Sequence, residues 1–241
     1  MKNEFQKVMK INDSPLTYFF AGRLANKLLP WAVRKGFTPN QITAVSLTLG
    51  GLAAYLFSFG NVRVAVVGSL VLVAGFVLDC LDGQFARYTG AGTPFGFWLD
   101  IFGDRVREFL LWTCLCIGHI RSTHDDSVWM WGMLAVAALS LRVMEDLYRE
   151  KALGKAGEKT SIMAEGCHVS IRTWIQRFFY FSIAERMFLL AIAAPLGLAT
   201  IFFKIISIAN FSMMIIFTTH EWYLNRDKMF ERKTQNADPE V

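Results

Sequence analysis

Long apolar runs broken by short polar segments dominate the chain. Six runs approach the roughly 20 residues that an α-helix needs to cross a ~30 Å hydrocarbon core. They fall at about residues 41–59, 62–81, 97–120, 128–147, 178–198 and 199–222. Ahead of them, residues 14–36 show a different period. Leu16, Phe19, Phe20, Leu24 and Leu28 recur at helical spacing, while Arg23 and Lys27 share the opposite side. That pattern predicts an amphipathic helix lying in the membrane interface, or one packed on the bundle. Thr38-Pro39-Asn40-Gln41 predicts the start of the first span, with Thr38 as cap, Pro39 in the first turn and Gln41 closing a capping box. The fold class is therefore all-α: a polytopic membrane protein with six transmembrane helices and an N-terminal interfacial helix. It divides into an N-terminal segment (1–37), a membrane domain (38–224) and a tail (225–241).

Composition agrees. Of 241 residues, 54% are hydrophobic and 19% charged, a balance that points to lipid and gives no reason to expect a nucleic-acid partner. Basic residues cluster before span one, between spans four and five, and after span six. The connections on the other face carry only Arg63 and Arg121. By the positive-inside rule the three basic segments, and the connection after span two, are cytoplasmic. The N-terminus shows no secretory signal, so insertion rests on the internal spans. The cysteines Cys80, Cys114, Cys116 and Cys167 have neither metal-ligand spacing nor a disulfide framework. The four histidines form no cluster.

One stretch breaks the apolar pattern. LDCLDGQFARYTGAGTPFGFWLDIFGD, residues 78–104, holds four aspartates, one arginine and five glycines. Asp79 and Asp82 are three residues apart, Asp100 and Asp104 four. On helices each pair lies on one face. A short connection predicts that the two helices are antiparallel neighbours whose acids face each other. Converging carboxylates need cations. Oxygen-only ligands favour Mg²⁺ or Mn²⁺, or else Ca²⁺, and Mg²⁺ leaves positions open for phosphate. Gly83, Ala86 and Gly96 make room on the same faces, and Arg87 can contact a phosphate.

This arrangement resembles the complete signature of the CDP-alcohol phosphotransferase family: Asp79-x-x-Asp82-Gly83-x-x-Ala86-Arg87, eight residues, then Gly96-x-x-x-Asp100-x-x-x-Asp104. Every fixed position is present. The resemblance extends to the six-span layout and to the PNQIT start of span one, and weakens after span three. It implies transfer of a substituted phosphate from a CDP-linked donor to an alcohol with release of CMP. It implies that Asp79, Asp82 and Asp100 hold the metal, with Asp104 beside them as general base and further ligand. Gly83, Ala86, Arg87, Gly96 and Asn40 would contact the CDP-linked donor. Spacing alone leaves open which acid is the base and whether one or two ions bind.

The resemblance favours CDP-diacylglycerol as donor; polar CDP-alcohols are the alternative within the family. LDIFGDR looks more like inositol- or inositol-phosphate-using relatives than like branches reading LDPxADK. An anionic acceptor needs basic partners, for which Arg105, Arg142 and Arg186 inside the spans are candidates. The competing reading pairs Arg142 with Glu145 or Asp146, Arg186 with Glu185 or a neighbouring helix, and Arg105 or Arg107 with Glu108. A homodimer is implied by resemblance. From another class, intramembrane carboxylates would also suit a cation transporter.

Overall fold

The computed structural model describes residues 14–153 and 182–235. All regular structure among them is helical. A π-helical turn, Thr17–Ala21, leads into α1 (Gly22–Lys35). Then follow α2 (Pro39–Phe57), α3 (Val62–Thr89), α4 (Pro94–Thr123), α5 (Ser127–Leu153), α6 (Ile183–Ala193) and α7 (Ala199–Gln235). Among the described residues three helices, α3, α5 and α7, have stretches long and apolar enough to cross a membrane. This is an integral membrane protein of the all-α class. The basic residues from Lys155 to Arg177, and the start of the fifth expected span, lie outside the described residues.

The helix starts follow local chemistry. The Thr38 hydroxyl accepts from Gln41 N at 3.3 Å, and the Gln41 side chain accepts from Thr38 N at 2.9 Å, so the expected capping box forms. Asn61 caps α3 by accepting from Arg63 N and Val64 N. Thr93 caps α4 through Gly96 N at 3.0 Å, with Pro94 in the first turn. Each side-chain oxygen satisfies helix N–H groups that have no partner within the helix. Gly90, at φ 67°, ends α3 in the left-handed conformation that glycine adopts without penalty.

Three expectations change. α3 does not stop at about residue 81 but runs two more turns to Thr89, so Asp82 and Arg87 stand on the same helix as Asp79. α7 continues well past residue 222, so the first part of the expected tail is helix up to Gln235. The third concerns the two acid-bearing helices. α3 and α4 make little direct contact; each packs on α2 instead. Small residues allow that close approach. A Cβ on Gly75 of α3 would lie 3.2 Å from Leu49 Cβ, and one on Gly103 of α4 would lie 2.8 Å from Leu47 Cδ2.

The N-terminal helix packs on α3 through an unexpected stripe. Ala21, Ala25, Leu29 and Ala32 are fully buried, whereas Phe19, Phe20, Leu24, Leu28 and Trp31 are exposed. Small residues face the bundle and the large apolar ones face away from it. A polar latch holds this helix to α3. The Gln84 amide donates to Gly22 O at 2.9 Å and accepts from Asn26 at 3.2 Å.

A carboxylate cluster held on a two-helix cleft

Burying acids requires partners, and α2 and α4 supply them. The Thr43 hydroxyl lies 2.5 Å from Asp82 Oδ2, and Asp82 is buried. Ser46 Oγ bonds Gly75 O at 3.0 Å and sits 3.4 Å from Asp79 Oδ1. Arg107 reaches in from α4. Its Nη1 donates to Asp79 Oδ1 at 2.9 Å, and its Nη2 donates to Asp104 Oδ1. Arg107 is 3% exposed, and its stem runs over Gly50, where a Cβ would lie 2.7 Å from Arg107 Cδ. One guanidinium thus bridges an acid of α3 and an acid of α4.

The expected metal ligands separate into two groups. One carboxylate oxygen each from Asp79, Asp82 and Asp100 lies within 4.8 Å of the others. Asp104 is outside that trio and is tied to Arg107. Three converging carboxylate oxygens, with no sulfur and no imidazole, form a donor set that fits a hard divalent cation such as Mg²⁺ or Mn²⁺.

The donor-side candidates flank this cluster. Asn40 and Gly96 meet: a Cβ on Gly96 would lie 3.3 Å from Asn40 Oδ1. Gly83 lies beneath the Arg87 guanidinium, with Nη1 3.3 Å from the position its Cβ would occupy. Ala86 follows on the same helix.

The acceptor-side candidates are held by partners. Arg186 Nε donates to Glu108 Oε1 at 2.6 Å, and Arg105 Nη1 lies 2.9 Å from Glu108 Oε2. Arg142 donates to Asn210 at 3.1 Å. Pairing of Arg105 with Glu108 and of Arg186 with a neighbouring helix matches the structural alternative from the sequence. Asn210 as the partner of Arg142 had no signal there. Nor did the bridging role of Arg107. Its only sequence clue is a third basic-or-acidic position within one turn of Asp104.

The fold and site together define a helical membrane protein built around a cluster of carboxylates that could hold a metal ion. The CDP-alcohol phosphatidyltransferase family model matches residues 37–215, and the chain belongs to that family. The family's model is that of a phosphatidyltransferase, which favours the transferase over the transporter reading. It is 32% identical over 112 residues to the bifunctional IPC transferase and DIPP synthase of Aquifex aeolicus, covering 46% of this chain and 25% of that one. It is 38% identical over 73 residues to archaetidylinositol phosphate synthase of Pyrococcus horikoshii, covering 30% and 37%. It is 34% identical over 87 residues to phosphatidylinositol phosphate synthase of Mycobacteroides abscessus, covering 36% and 38%. The chain thus spans less than two-fifths of the length of these relatives. The crystal structure of Mycobacterium tuberculosis phosphatidylinositol phosphate synthase with CDP-DAG bound shares the fold, with a TM-score of 0.58 and 20% identity over 84% of this chain and 94% of that one.

Proposed function

We propose that this chain transfers the substituted phosphate of a CDP-diacylglycerol-type donor to an inositol-type alcohol, inositol phosphate foremost, and releases CMP. The observation that carries the reading is the division of the four acids: three converge as a ligand set, and the fourth is held beside them by Arg107. Similarity to inositol phosphate synthases supports the acceptor class.

In this reading Asp79, Asp82 and Asp100 would hold a divalent ion, which supplies charge neutralisation to the donor diphosphate and the departing CMP. Thr43 fixes the orientation of Asp82, and Ser46 with Arg107 fixes that of Asp79. Asn40, Gly83, Ala86, Arg87 and Gly96 receive the donor's CDP moiety. Asp104 has Oδ1 engaged by Arg107, while Oδ2 makes no hydrogen bond among the described residues. That oxygen takes the proton of the acceptor hydroxyl as it attacks the phosphorus distal to cytidine. Arg142 and Arg186, with Arg105, form the basic side on which an acceptor phosphate is received. The catalytic face is cytoplasmic, the layout has six spans with the exposed aromatic side of α1 in the interface, and the working unit is a homodimer.

The test is CMP release by lipid-reconstituted protein with Mg²⁺ or Mn²⁺, CDP-diacylglycerol, and a panel of inositol, inositol phosphate, glycerol phosphate and serine. Release dependent on inositol phosphate and lost in Asp104→Asn supports the reading. Release with glycerol phosphate or serine alone removes the acceptor assignment. No release from CDP-diacylglycerol with any acceptor, but release from a polar CDP-alcohol, removes the donor assignment.

A further inference from the structure

Carboxylate-rich phosphoryl-transfer sites hold one divalent ion or two. In two-metal sites the ions stand about 3.5–4 Å apart and act together on one displacement. Four aspartates offer oxygens enough for a pair, and their spacing along the chain leaves the number open. The side chain that bears on the number is Arg107, which bridges Asp79 and Asp104.

Arg107 is seated, not merely placed. Its stem lies in a groove that exists because residue 50 is glycine: a Cβ there would be 2.7 Å from Arg107 Cδ and 2.9 Å from Cγ. The guanidinium then meets three helices. Nη1 donates to Asp79 Oδ1 of α3 at 2.9 Å and to Ser46 Oγ of α2 at 3.3 Å, and Nη2 donates to Asp104 Oδ1 of α4. Ser46 is itself fully buried. Withdrawing the side chain would empty the groove over Gly50 and leave buried charges unpaired, which is costly on both counts. The next residue, Glu108, offers no alternative partner: its Oε1 is taken by Arg186 and its Oε2 by Arg105. The guanidinium is therefore a resident cation of the cleft.

A second ion clamped between α3 and α4 needs the oxygens of Asp79 and Asp104 that face each other. Those oxygens are held by the two Nη groups of one guanidinium, whose planar fork matches a pair of carboxylates. Asp104 also stands outside the group that brings oxygens of Asp79, Asp82 and Asp100 within 4.8 Å of one another. We infer that Arg107 is a built-in second cation: the centre takes one divalent ion, on Asp79, Asp82 and Asp100, and the guanidinium holds the place of another between Asp79 and Asp104. Arg107 is thereby a positioning residue. It keeps Asp104 off the metal and leaves Asp104 Oδ2 to the acceptor hydroxyl, so Asp104 is not the further ligand that the signature suggests. The inference rests on the ligand set proposed above and goes beyond it to the number of ions.

The test is Mn²⁺ binding to the full-length protein in detergent, stripped with chelator and back-titrated without donor or acceptor. Electron paramagnetic resonance reads the free ion and the bound one. The wild type is expected to take up one ion per chain, with the spectrum of an isolated ion. Arg107→Met keeps the apolar stem over Gly50 and removes the cation; it is expected to take up two, with the broadening of a spin-coupled pair. Adding Asp104→Asn to that variant returns the count to one. Two ions, or a coupled signal, in the wild type overturns the inference, whether or not the variants fold. So does a count that stays at one in folded Arg107→Met, or at two in the double variant. A wild type that binds no ion removes the Asp79–Asp82–Asp100 ligand set and this inference with it, whereas a wild type that binds two removes the inference alone. CMP release plays no part in these readouts, so a failed transfer assay and a failed ion count are told apart.

Discussion

Replacing Arg107 by methionine keeps most of the apolar stem over Gly50 and removes the guanidinium. Asp79 and Asp104 then face each other across the cleft without their shared cation. Their side chains are 14% and 18% exposed, so water does little to screen them. Removing one member of a buried ion pair costs about 3–5 kcal/mol, because the remaining charge stays buried. Here the lower end applies, since the variant also escapes the cost of burying the guanidinium. At about 2–4 °C per kcal/mol for a chain of 150–250 residues, a 3 kcal/mol loss lowers the melting temperature by roughly 6–12 °C. The assay is thermal unfolding in detergent with chelator, and again with saturating Mg²⁺. The fall is expected to be largest with chelator, because a divalent ion recovers part of the lost neutralisation at Asp79. Adding Asp104→Asn to Arg107→Met is expected to restore about half of the loss. A drop under 3 °C with chelator, or a loss that Asp104→Asn leaves untouched, would refute the bridge.

Three other outcomes follow from the same geometry. Chelation is expected to abolish CMP release and lower the melting temperature of the wild type, with both restored by Mg²⁺ or Mn²⁺; unchanged stability on chelation counts against the Asp79–Asp82–Asp100 ligand set. Asp104→Asn is expected to cut turnover by about 10²–10⁴, the usual worth of a general base, while CDP-donor affinity stays within a few-fold. Gln84→Ala is expected to cost about 1–3 kcal/mol, because Gly22 O loses its donor in a buried setting. It should also raise hydrogen exchange across Gly22–Lys35 more than across α2, and uniform exchange would show that Gln84 is not a latch.

Much of this was legible in the sequence for physical reasons. Capping residues act over three positions, so the start of α2 could be read locally; α4 starts by the same chemistry at Thr93 and Pro94, three residues before the expected third span. The acids, their glycines and Arg87 lie in one stretch, and helical periodicity groups them without tertiary information. What escaped depended on contacts distant in sequence. An antiparallel pairing of α3 with α4 follows from a short connection, but each packs on α2 instead, because Gly75 and Gly103 let it approach both. Arg107 sits 28 positions from Asp79, and nothing local announces that it passes Gly50 to reach it. The large apolar residues of α1 were read as facing the membrane interface or the bundle; they are exposed, and the helix packs on the bundle through Ala21, Ala25, Leu29 and Ala32, since a close helix crossing prefers small side chains.

The packing of both α3 and α4 on α2 makes it a gauge. Asp79, Asp82 and Asp100 bring oxygens within 4.8 Å of one another although their two helices barely touch, so their spacing is held through Leu47 and Leu49 of α2 against Gly103 and Gly75. A side chain added at Gly75 or Gly103 would push one helix off that support and shift its acids against those of the other, so the geometry of the cluster is written into one short run of α2.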